Sequence, residues 1–271
     1  MTALKAVVFD WAGTMVDFGS RAPMGVFVKV FEQFGVTISI DEARGPMGLP
    51  KWQHIEALMQ TPRIAEAWRT ARGGKPTRAD IDAVYEVFTP LNERIVADYG
   101  ELIPGAAACV AELRARGLKI GSTTGYTREI MARLLPVAAS QGYAPDNLVC
   151  AGDLAAGRPT PLMMYRCFAD LGVYPPSSVV KVDDTQPGIA EGCAAGTWTV
   201  GVSLSGNALG LSQQEFSALP AQELKPRAEA ARAAVWAMGP DYVIDSVADL
   251  MPVIEEIERR MLAGEQPRLA A

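Results

Sequence analysis

From Pro104 onward the chain alternates short apolar runs with longer segments of helical pattern, and this alternation restricts the possible folds more than any other feature. The apolar runs are LKIGSTT, NLVCA, SVVKVDD, TWTVGV and DYVID. Their length and β-branched content are typical of buried strands. Strands that alternate with helices pair in parallel through right-handed crossovers. The sequence therefore predicts an α/β fold built on a parallel sheet.

A further apolar run, residues 4–9, opens the chain and is separated from the others by a long helical stretch. Its β-branched and aromatic residues are typical of a buried parallel strand. Residues 23–99 show no convincing strand pattern. We therefore expect a Rossmann-like core domain, residues 1–20 and 100–271, interrupted after its first strand by an all-helical cap domain, residues 21–99. The cleft between the two is the expected site.

Composition and charge exclude several kinds of partner. The chain has 271 residues, 49% of them hydrophobic, which is enough to bury a core. A net charge of −6 gives no basic surface, so we expect no nucleic-acid partner. No apolar run reaches membrane-spanning length, and the N-terminus lacks a basic segment followed by an apolar signal core. We therefore expect a cytoplasmic protein without a membrane partner.

The cysteines and the histidine limit the possible metal chemistry. The four cysteines lie far apart and form no CxxC pair, which argues against a structural zinc site and a disulfide framework. His54 is the only histidine, so one chain cannot build a multi-histidine metal site. Any histidine-dependent chemistry would have to use this residue.

Polar groups suited to a phosphoryl group follow four of the predicted strands. They are Asp10, Thr123, Thr124, Arg158, Asp183 and Asp184. Because parallel strands bring their carboxyl ends to one edge, we expect these groups at one site. Carboxylates from two strand ends suit Mg²⁺, and threonine and arginine add donors for phosphoryl oxygens. The simpler alternative, helix-capping aspartates and a solvated arginine, requires independent features to coincide at every strand end.

One lysine of the helical stretch has a distinctive setting in GPMGLPKWQHIEAL. Pro50 fits the first turn of a helix, which places Lys51 at its beginning and His54 on the same face. The positive end of the helix dipole and an apolar cleft beside Met47 and Trp52 would both favour a neutral amine. A neutral amine can form a Schiff base with an aldehyde. By residue type alone, a solvated surface lysine is the simpler alternative.

The segments DWAGT, STTGYT, GRPTP and VDDT resemble, in order, the four motifs of the haloacid dehalogenase (HAD) superfamily. The resemblance covers the core from residue 4 to about residue 201. It implies that Asp10 is the nucleophile, that Thr124 and Arg158 hold the transferred phosphoryl group, and that Asp184 helps to hold Mg²⁺. The role of Asp183 stays open.

Ala12 departs from the pattern of the phosphatases of this superfamily, which usually have an aspartate there as general acid for an oxygen leaving group. An alanine side chain cannot transfer a proton, although its backbone carbonyl can bind a metal. Either the chain is inactive, or its leaving group does not need that acid. A protonated imine two bonds from a phosphonate carbon is an electron sink, so a C–P bond could break to give an enamine without an acid at position 12.

The combination of Lys51 and Ala12 resembles the phosphonatase family within this superfamily. DWAGT, PMGLPKWQHI, GSTTGYTRE, AGRPTP and KVDDT fit its pattern, and the similarity runs over nearly the whole chain. The resemblance implies hydrolysis of the C–P bond of phosphonoacetaldehyde, in 2-aminoethylphosphonate degradation, through a Lys51 Schiff base and an Asp10 aspartyl phosphate. It also implies a homodimer formed through the caps.

The same resemblance implies roles around the two covalent residues. His54 would move protons near the lysine, Met47 would pack beside the imine, and Tyr126 would line the phosphate side. The Mg²⁺ ligands would be Asp10, the backbone carbonyl of Ala12, and Asp184.

Two other functions stay open from the sequence. The first is a HAD-type phosphatase acting on a small phosphate ester, with Lys51 as an electrostatic clamp. Ala12 argues against it, because an alkoxide leaving group would lack its acid. The second is a catalytically inactive phosphate-binding protein. The presence of Asp10, Lys51 and Asp184 together argues against loss of activity.

Overall fold

The computed structural model describes residues 4–268, and in this part of the chain six strands form one parallel sheet. The strands are β1 (Ala6–Phe9), β2 (Lys119–Thr124), β3 (Val149–Cys150), β4 (Val179–Asp183), β5 (Trp198–Val202) and β6 (Tyr242–Ile244). Their order in the sheet is β3-β2-β1-β4-β5-β6. The predicted α/β class and parallel sheet are confirmed. The ends of the predicted core domain, residues 1–3 and 269–271, lie outside the described residues.

The first strand lies at the centre of the sheet, between β2 and β4. Phe9 is aligned with Ser122 of β2 and Val182 of β4. The strand order runs outward in both directions from β1, which opens a crevice at the carboxyl ends of β1 and β4. The residues that directly follow β1, β2 and β4, including Asp10, therefore lie side by side at one edge of the sheet.

Helices cover both faces of this sheet. Those that follow residue 100 are α6 (Ala106–Ala115), α7 (Arg128–Ser140), α8 (Leu162–Leu171), α9 (Gln186–Ala195), α10 (Gln213–Ala218), α11 (Ala221–Ala237) and α12 (Leu250–Leu262). Val7 and Phe9 share a hydrophobic cluster with α6, α7 and α12, whereas Ala6 and Val8 cluster with residues of α8. Alternate side chains of a strand point to opposite faces, so the sheet is buried on both sides. Within the described residues no helix has the length and apolar character needed to cross a membrane.

The segment between β1 and residue 100 is helical, as predicted for residues 23–99. It contains α1 (Ala22–Gln33), α2 (Ile40–Arg44), α3 (Lys51–Gln60), α4 (Pro62–Arg72) and α5 (Arg78–Ile95), followed by a 3-10 turn at Val96–Tyr99. Reciprocal capping boxes fix two of the helix starts, Ser39 with Glu42 at α2 and Thr77 with Asp80 at α5. These two sequence signals account for the starts of α2 and α5.

The helical segment has a hydrophobic core of its own. Phe27 of α1 stacks on Phe88 of α5, with 4.3 Å between ring centroids, and on His54 of α3, at 4.1 Å. The cluster to which these rings belong is distinct from the two clusters on the faces of the sheet. This arrangement is typical of a cap that packs independently of the core, and the domain limits at residues 20/21 and 99/100 stay a prediction.

Candidate active site

A small cavity of about 20 Å³ lies between the carboxyl edge of the sheet and the helical segment. Seven predicted site residues line it: Asp10, Ala12, Met47, Lys51, Thr124, Tyr126 and Arg158. Four lining residues were not predicted: Ser20, Gly48, Gly125 and Thr185. A volume of this size holds roughly one water molecule. In this arrangement the helical segment and the core leave little space between them at the site.

Asp10 follows β1 and is held in place by an arginine. Arg158 Nη2 donates to Asp10 Oδ1 at 2.8 Å and to the carbonyl of Thr123 at 2.7 Å. The Asp10 and Arg158 side chains are both buried. Burial, reinforced by repulsion from Asp183, raises the pKa of Asp10, and the charge of Arg158 opposes this increase. The arginine thus fixes the orientation of a carboxylate that borders the cavity.

A buried network of charges supports Arg158 from behind. Its Nε donates to Glu191 Oε2 at 3.2 Å, and Lys181 Nζ lies 3.3 Å from the same oxygen. The hydroxyl of Thr123 accepts a hydrogen bond from Lys181 Nζ at 2.7 Å and donates one to Glu191 Oε2 at 2.8 Å. This predicted binding group is therefore part of the charge network and does not line the cavity. The sequence prediction missed Lys181 and Glu191. A charge inside the buried strand VVKVD was a usable signal for Lys181, whereas Glu191 carried no local signal.

Asp183 is already neutralised by protein groups. Lys181 Nζ lies 3.0 Å and Arg158 Nη2 lies 3.3 Å from its Oδ2. Its Oδ1 accepts from the backbone N–H and the hydroxyl of Thr185, at 3.0 and 2.7 Å. Although burial alone would raise the pKa of Asp183, the charges of Arg158 and Lys181 lower it below the ordinary value. Asp183 is therefore a structural anion in this arrangement.

Asp184 has the opposite environment. Its carboxylate accepts from the Thr14 hydroxyl at 3.0 Å and from the Asn207 backbone N–H at 2.7 Å. Among the described residues, no lysine or arginine forms an ion pair with it. Burial, followed by repulsion from Asp10 and Asp183, raises its pKa well above the ordinary value. This carboxylate therefore lacks a compensating positive charge.

The carboxylates fit a divalent cation. Ligand oxygens of Asp10, Asp183 and Asp184 lie within 4.8 Å of one another, and all three side chains are buried. A dication beside Asp10 and Asp184 would supply the missing charge, and carboxylate oxygens are the ligands that hard cations prefer. Ala12 lines the cavity two residues after Asp10, so its carbonyl is a candidate third ligand. Asp183 is less suited, since two basic side chains already neutralise it.

Lys51 is the first residue of α3 and is only 4% exposed. Pro50 is the N-cap residue and precedes the helix. The prediction that it lies in the first turn is therefore wrong by one position. The lysine Nζ lies 3.9 Å from Met47 Sδ, and 5.1 and 5.9 Å from the ring centroids of Tyr126 and Phe27. Burial in these apolar surroundings lowers the pKa of Lys51 to about 8. Roughly a tenth of the amine is therefore neutral at pH 7, far more than for an ordinary lysine.

His54 lies on the same helix but does not line the cavity. Its Nε2 is 2.8 Å from the carbonyl of Ala43. A carbonyl can only accept, so Nε2 carries the proton and the lone pair is on Nδ1, which is buried without a partner in the described part of the chain. Burial, and then the charge of Lys51, lower the pKa of His54 well below its ordinary value. The ring is therefore neutral near neutral pH, and it lies three residues after Lys51 on α3.

Thr124 and Tyr126 continue from the end of β2 into the cavity. The Thr124 hydroxyl accepts the backbone N–H of Tyr126 at 3.1 Å, which leaves its own proton free to donate. The phenol of Tyr126 is buried, and its oxygen has no partner among the described residues. Burial raises the pKa of Tyr126 well above the ordinary value, so the phenol stays protonated. Both hydroxyls can donate to oxygens of a ligand.

The sheet order and the residues at the carboxyl ends of its central strands are those of haloacid dehalogenase-like hydrolases. A family model with the description "haloacid dehalogenase-like hydrolase" matches residues 4–196, from β1 to the end of α9. This range contains the whole cavity and all the predicted site residues. Hydrolases of this class generally use a divalent metal, in agreement with the cluster of aspartates.

Individual relatives narrow the class further. The chain is 56% identical over 267 residues to the phosphonoacetaldehyde hydrolase of Paraburkholderia xenovorans strain LB400, covering 98% of this chain and 100% of the relative. It is 48% identical over 269 residues to the Klebsiella pneumoniae phosphonoacetaldehyde hydrolase, with 98% and 100% coverage. The crystal structure of a phosphonoacetaldehyde hydrolase-like protein from Oleispira antarctica matches with a TM-score of 0.96 at 43% identity, over 98% and 96% of the two chains. The chain belongs to the phosphonoacetaldehyde hydrolase family of haloacid dehalogenase-like hydrolases.

Proposed function

We propose that this chain hydrolyses the C–P bond of phosphonoacetaldehyde to acetaldehyde and phosphate, through an imine on Lys51 and an aspartyl phosphate on Asp10. The observation that carries the proposal is that one small cavity is bordered by both a buried lysine of lowered pKa and a buried aspartate. The names of the relatives support the same substrate. The proposal places the reaction in phosphonate breakdown.

Imine formation is the step assigned to the helical segment. The neutral Lys51 amine adds to the aldehyde carbon, and loss of water gives a protonated imine. The lone pair of His54 Nδ1 accepts and returns the protons of the addition and the dehydration. Met47 and the Tyr126 ring exclude water around the nitrogen. This apolar setting keeps the lysine a nucleophile.

C–P cleavage is the step assigned to the core. A carboxylate oxygen of Asp10 forms a bond to phosphorus while the C–P bond breaks. The electron pair of that bond moves into the protonated imine and gives an enamine, so the leaving carbon takes no proton from position 12, where Ala12 cannot give one. Arg158 and the Thr124 hydroxyl donate to the phosphoryl oxygens during the transfer.

Two hydrolyses complete the cycle. Protonation of the enamine carbon regenerates an imine, and addition of water to it releases acetaldehyde and frees the Lys51 amine. A second water attacks the aspartyl phosphate and releases phosphate from Asp10. The water lost in imine formation balances the water used to open the imine, so the net reaction consumes one water for each substrate.

The cation proposed for the aspartate cluster is Mg²⁺, held by Asp10, Asp184 and the Ala12 carbonyl. The fit rests on the uncompensated charge of Asp184 and on the oxygen donors present. When bound, the ion supplies positive charge that stabilises the negative phosphoryl oxygens. Arg158 and Thr124 supply the remaining donors on the protein side.

The direct test measures acetaldehyde and phosphate released from phosphonoacetaldehyde in the presence of Mg²⁺. We expect equal amounts of both products. Asp10→Asn and Lys51→Arg are expected to lower turnover by about a thousandfold or more, as for loss of a covalent group. Lys29→Arg, at an exposed position on the same helical segment, serves as the matched control and should behave as the unaltered protein.

Two results would overturn the proposal. Phosphate release from small phosphate esters, with none from phosphonoacetaldehyde, would identify an ester phosphatase in which Lys51 is only an electrostatic clamp. Saturable phosphate binding with no turnover of either substrate would identify an inactive binding protein. Each result corresponds to one of the alternatives that the sequence leaves open.

A further inference from the structure

Arg44, the last residue of α2, reaches from the helical segment into the core. Its Nη1 donates to the carbonyl of Gly19 at 2.7 Å and to Asn207 Oδ1 at 3.2 Å. Its Nη2 donates to the carbonyl of Gly210 at 2.8 Å. Gly19 belongs to the connection between β1 and α1, and the other two acceptors belong to the loop after β5. One guanidinium therefore joins three points that bracket the boundary between the helical segment and the core.

The contacts of Arg44 depend on its shape more than on its charge. All three acceptors are neutral oxygens, and no carboxylate within the described residues forms an ion pair with it. Gly210 has a φ of +68°, and a Cβ added there would lie 2.7 Å from the guanidinium Cζ. The loop after β5 thus packs closely against the guanidinium of Arg44, whose N–H donors form a planar fork. A lysine ammonium cannot reproduce that fork.

Both ends of this contact lead to groups of the proposed mechanism. The backbone carbonyl of Arg44 accepts the N–H of Met47 at 3.0 Å, and residues 45–50 connect Arg44 directly to Lys51. On the core side, Arg44 binds the side-chain amide oxygen of Asn207. The backbone N–H of Asn207 in turn donates to Asp184 Oδ2 at 2.7 Å. A continuous path of hydrogen bonds therefore runs from the loop before Lys51 to Asp184.

We infer that Arg44 is a positioning residue that couples the position of residues 45–50 against the core to the orientation of the Asp184 side chain, through Asn207. It touches neither substrate nor reacting atoms. When the helical segment lies against the core, the guanidinium holds Asn207 and thereby aims the Asp184 carboxylate at the cation site. The inference rests on the proposed function only for what Asp184 and Lys51 do, and the hydrogen-bond path itself is independent of it.

The test compares four variants of the full chain: Arg44→Ala, Arg44→Lys, Asn207→Ala and Arg44→Ala with Asn207→Ala. Arg21→Ala is the matched control, because Arg21 also pairs across the boundary, with Glu215, but does so at the surface. The measurements are Mg²⁺ affinity by calorimetry on metal-free protein, kcat and KM for phosphonoacetaldehyde, and the thermal midpoint. The midpoint shows which variants are folded.

We expect Arg44→Ala and Arg44→Lys to weaken Mg²⁺ binding about five- to tenfold and to lower kcat by about tenfold, as for loss of buried hydrogen bonds. The double variant should be no worse than Arg44→Ala, because the two residues act in one path. Arg21→Ala should stay within about twofold of the unaltered protein, as for an exposed ion pair.

Three results would overturn the inference. They are unaltered Mg²⁺ affinity in a folded Arg44 variant, full activity in Arg44→Lys, and losses that multiply in the double variant. If Arg44→Ala does not fold, Arg44→Lys and Asn207→Ala decide the question. If the unaltered protein releases no acetaldehyde, the proposed function fails, while the Mg²⁺ affinities still decide the role of Arg44.

Discussion

Burial lowers the pKa of the Lys51 amine from 10.5 to about 8, and this shift predicts how imine formation depends on pH. Below the pKa the amine is protonated and cannot add to an aldehyde; above it, the neutral form predominates. With a pKa of about 8, roughly a tenth of the amine is neutral at pH 7. The rate of reductive trapping of acetaldehyde on Lys51 should therefore rise with pH to about 8 and then level off.

The matched control for this profile is Lys51→Arg, which should give no adduct at position 51 at any pH. A trapping rate that continues to rise steadily to about pH 10 would contradict the lowered pKa. It would mean that Lys51 titrates like an ordinary exposed lysine.

The two adjacent aspartates should respond differently to substitution. Asp184→Asn is expected to weaken Mg²⁺ binding by at least about tenfold. The thermal unfolding midpoint of the metal-free protein should stay unchanged or rise, because the substitution removes a carboxylate that Asp10 and Asp183 repel. Asp183→Asn should lower the midpoint, because buried Arg158 and Lys181 lose a partner, at a cost of about 3 kcal/mol. Calorimetric Mg²⁺ titration and thermal unfolding check both expectations.

The reverse pattern would reassign the two residues. If Asp183→Asn abolished Mg²⁺ binding in a folded protein while Asp184→Asn retained it, Asp183 would be the metal ligand. The uncompensated charge of Asp184 would then need another explanation.

At the level of elements, the loop between α2 and α3 places Lys51 over the core. Gly48 in this loop has a φ of +91°, and a Cβ added there would lie 2.3 Å from Thr185 Oγ1. Gly48→Ala should therefore push the loop away from the core and move Lys51 away from Asp10. We expect turnover of phosphonoacetaldehyde to fall by about tenfold or more, with a much smaller change in the thermal midpoint.

Gly45→Ala is the matched control in the same loop. Gly45 has an ordinary helical φ of −48°, and the nearest atom to an added Cβ is the Glu42 carbonyl oxygen at 3.6 Å. This variant should retain turnover close to that of the unaltered protein. Equal losses of turnover in the two glycine variants would contradict a specific role for the contact between Gly48 and Thr185. They would show that the loop tolerates no added side chain at either position.

Sequence patterns predicted the elements that carry local signals. The strand ends at Asp10, Thr124 and Asp184 follow from apolar runs, and the start of α3 follows from Pro50, although the proline is the N-cap. The contacts between distant segments could not be predicted in this way. The pairing of Lys181 with Glu191, and the path from Arg44 to Asn207, depend on side-chain packing that no periodicity encodes.

At the scale of the whole molecule, the alternation of strands and helices was sufficient to predict the parallel sheet and the edge where the site lies. The helical pattern of residues 23–99 predicted a cap inserted after the first strand, with the site in the cleft between cap and core. Its hydrophobic cluster, centred on Phe27, explains why it packs as a unit. The homodimer and the cytoplasmic location stay predictions.

The small cavity makes cap movement part of the proposed mechanism. Asp10 belongs to the core and Lys51 to the helical segment, and a cavity of about 20 Å³ has no room for substrate to enter while the two are in contact. Opening would admit phosphonoacetaldehyde, and closing would bring both covalent groups to it and exclude water. The central claim is thus that one substrate molecule bonds to both parts of the chain in turn.

The most direct measurement of that claim is borohydride trapping. The protein is incubated with phosphonoacetaldehyde and Mg²⁺, reduced with borohydride, digested, and searched by mass spectrometry for a modified lysine. We predict a substrate-dependent adduct on Lys51, with no adduct at position 51 in Lys51→Arg. Release of phosphate from phosphonoacetaldehyde without any trapped lysine, or with an adduct only on another lysine, would contradict the Schiff-base mechanism.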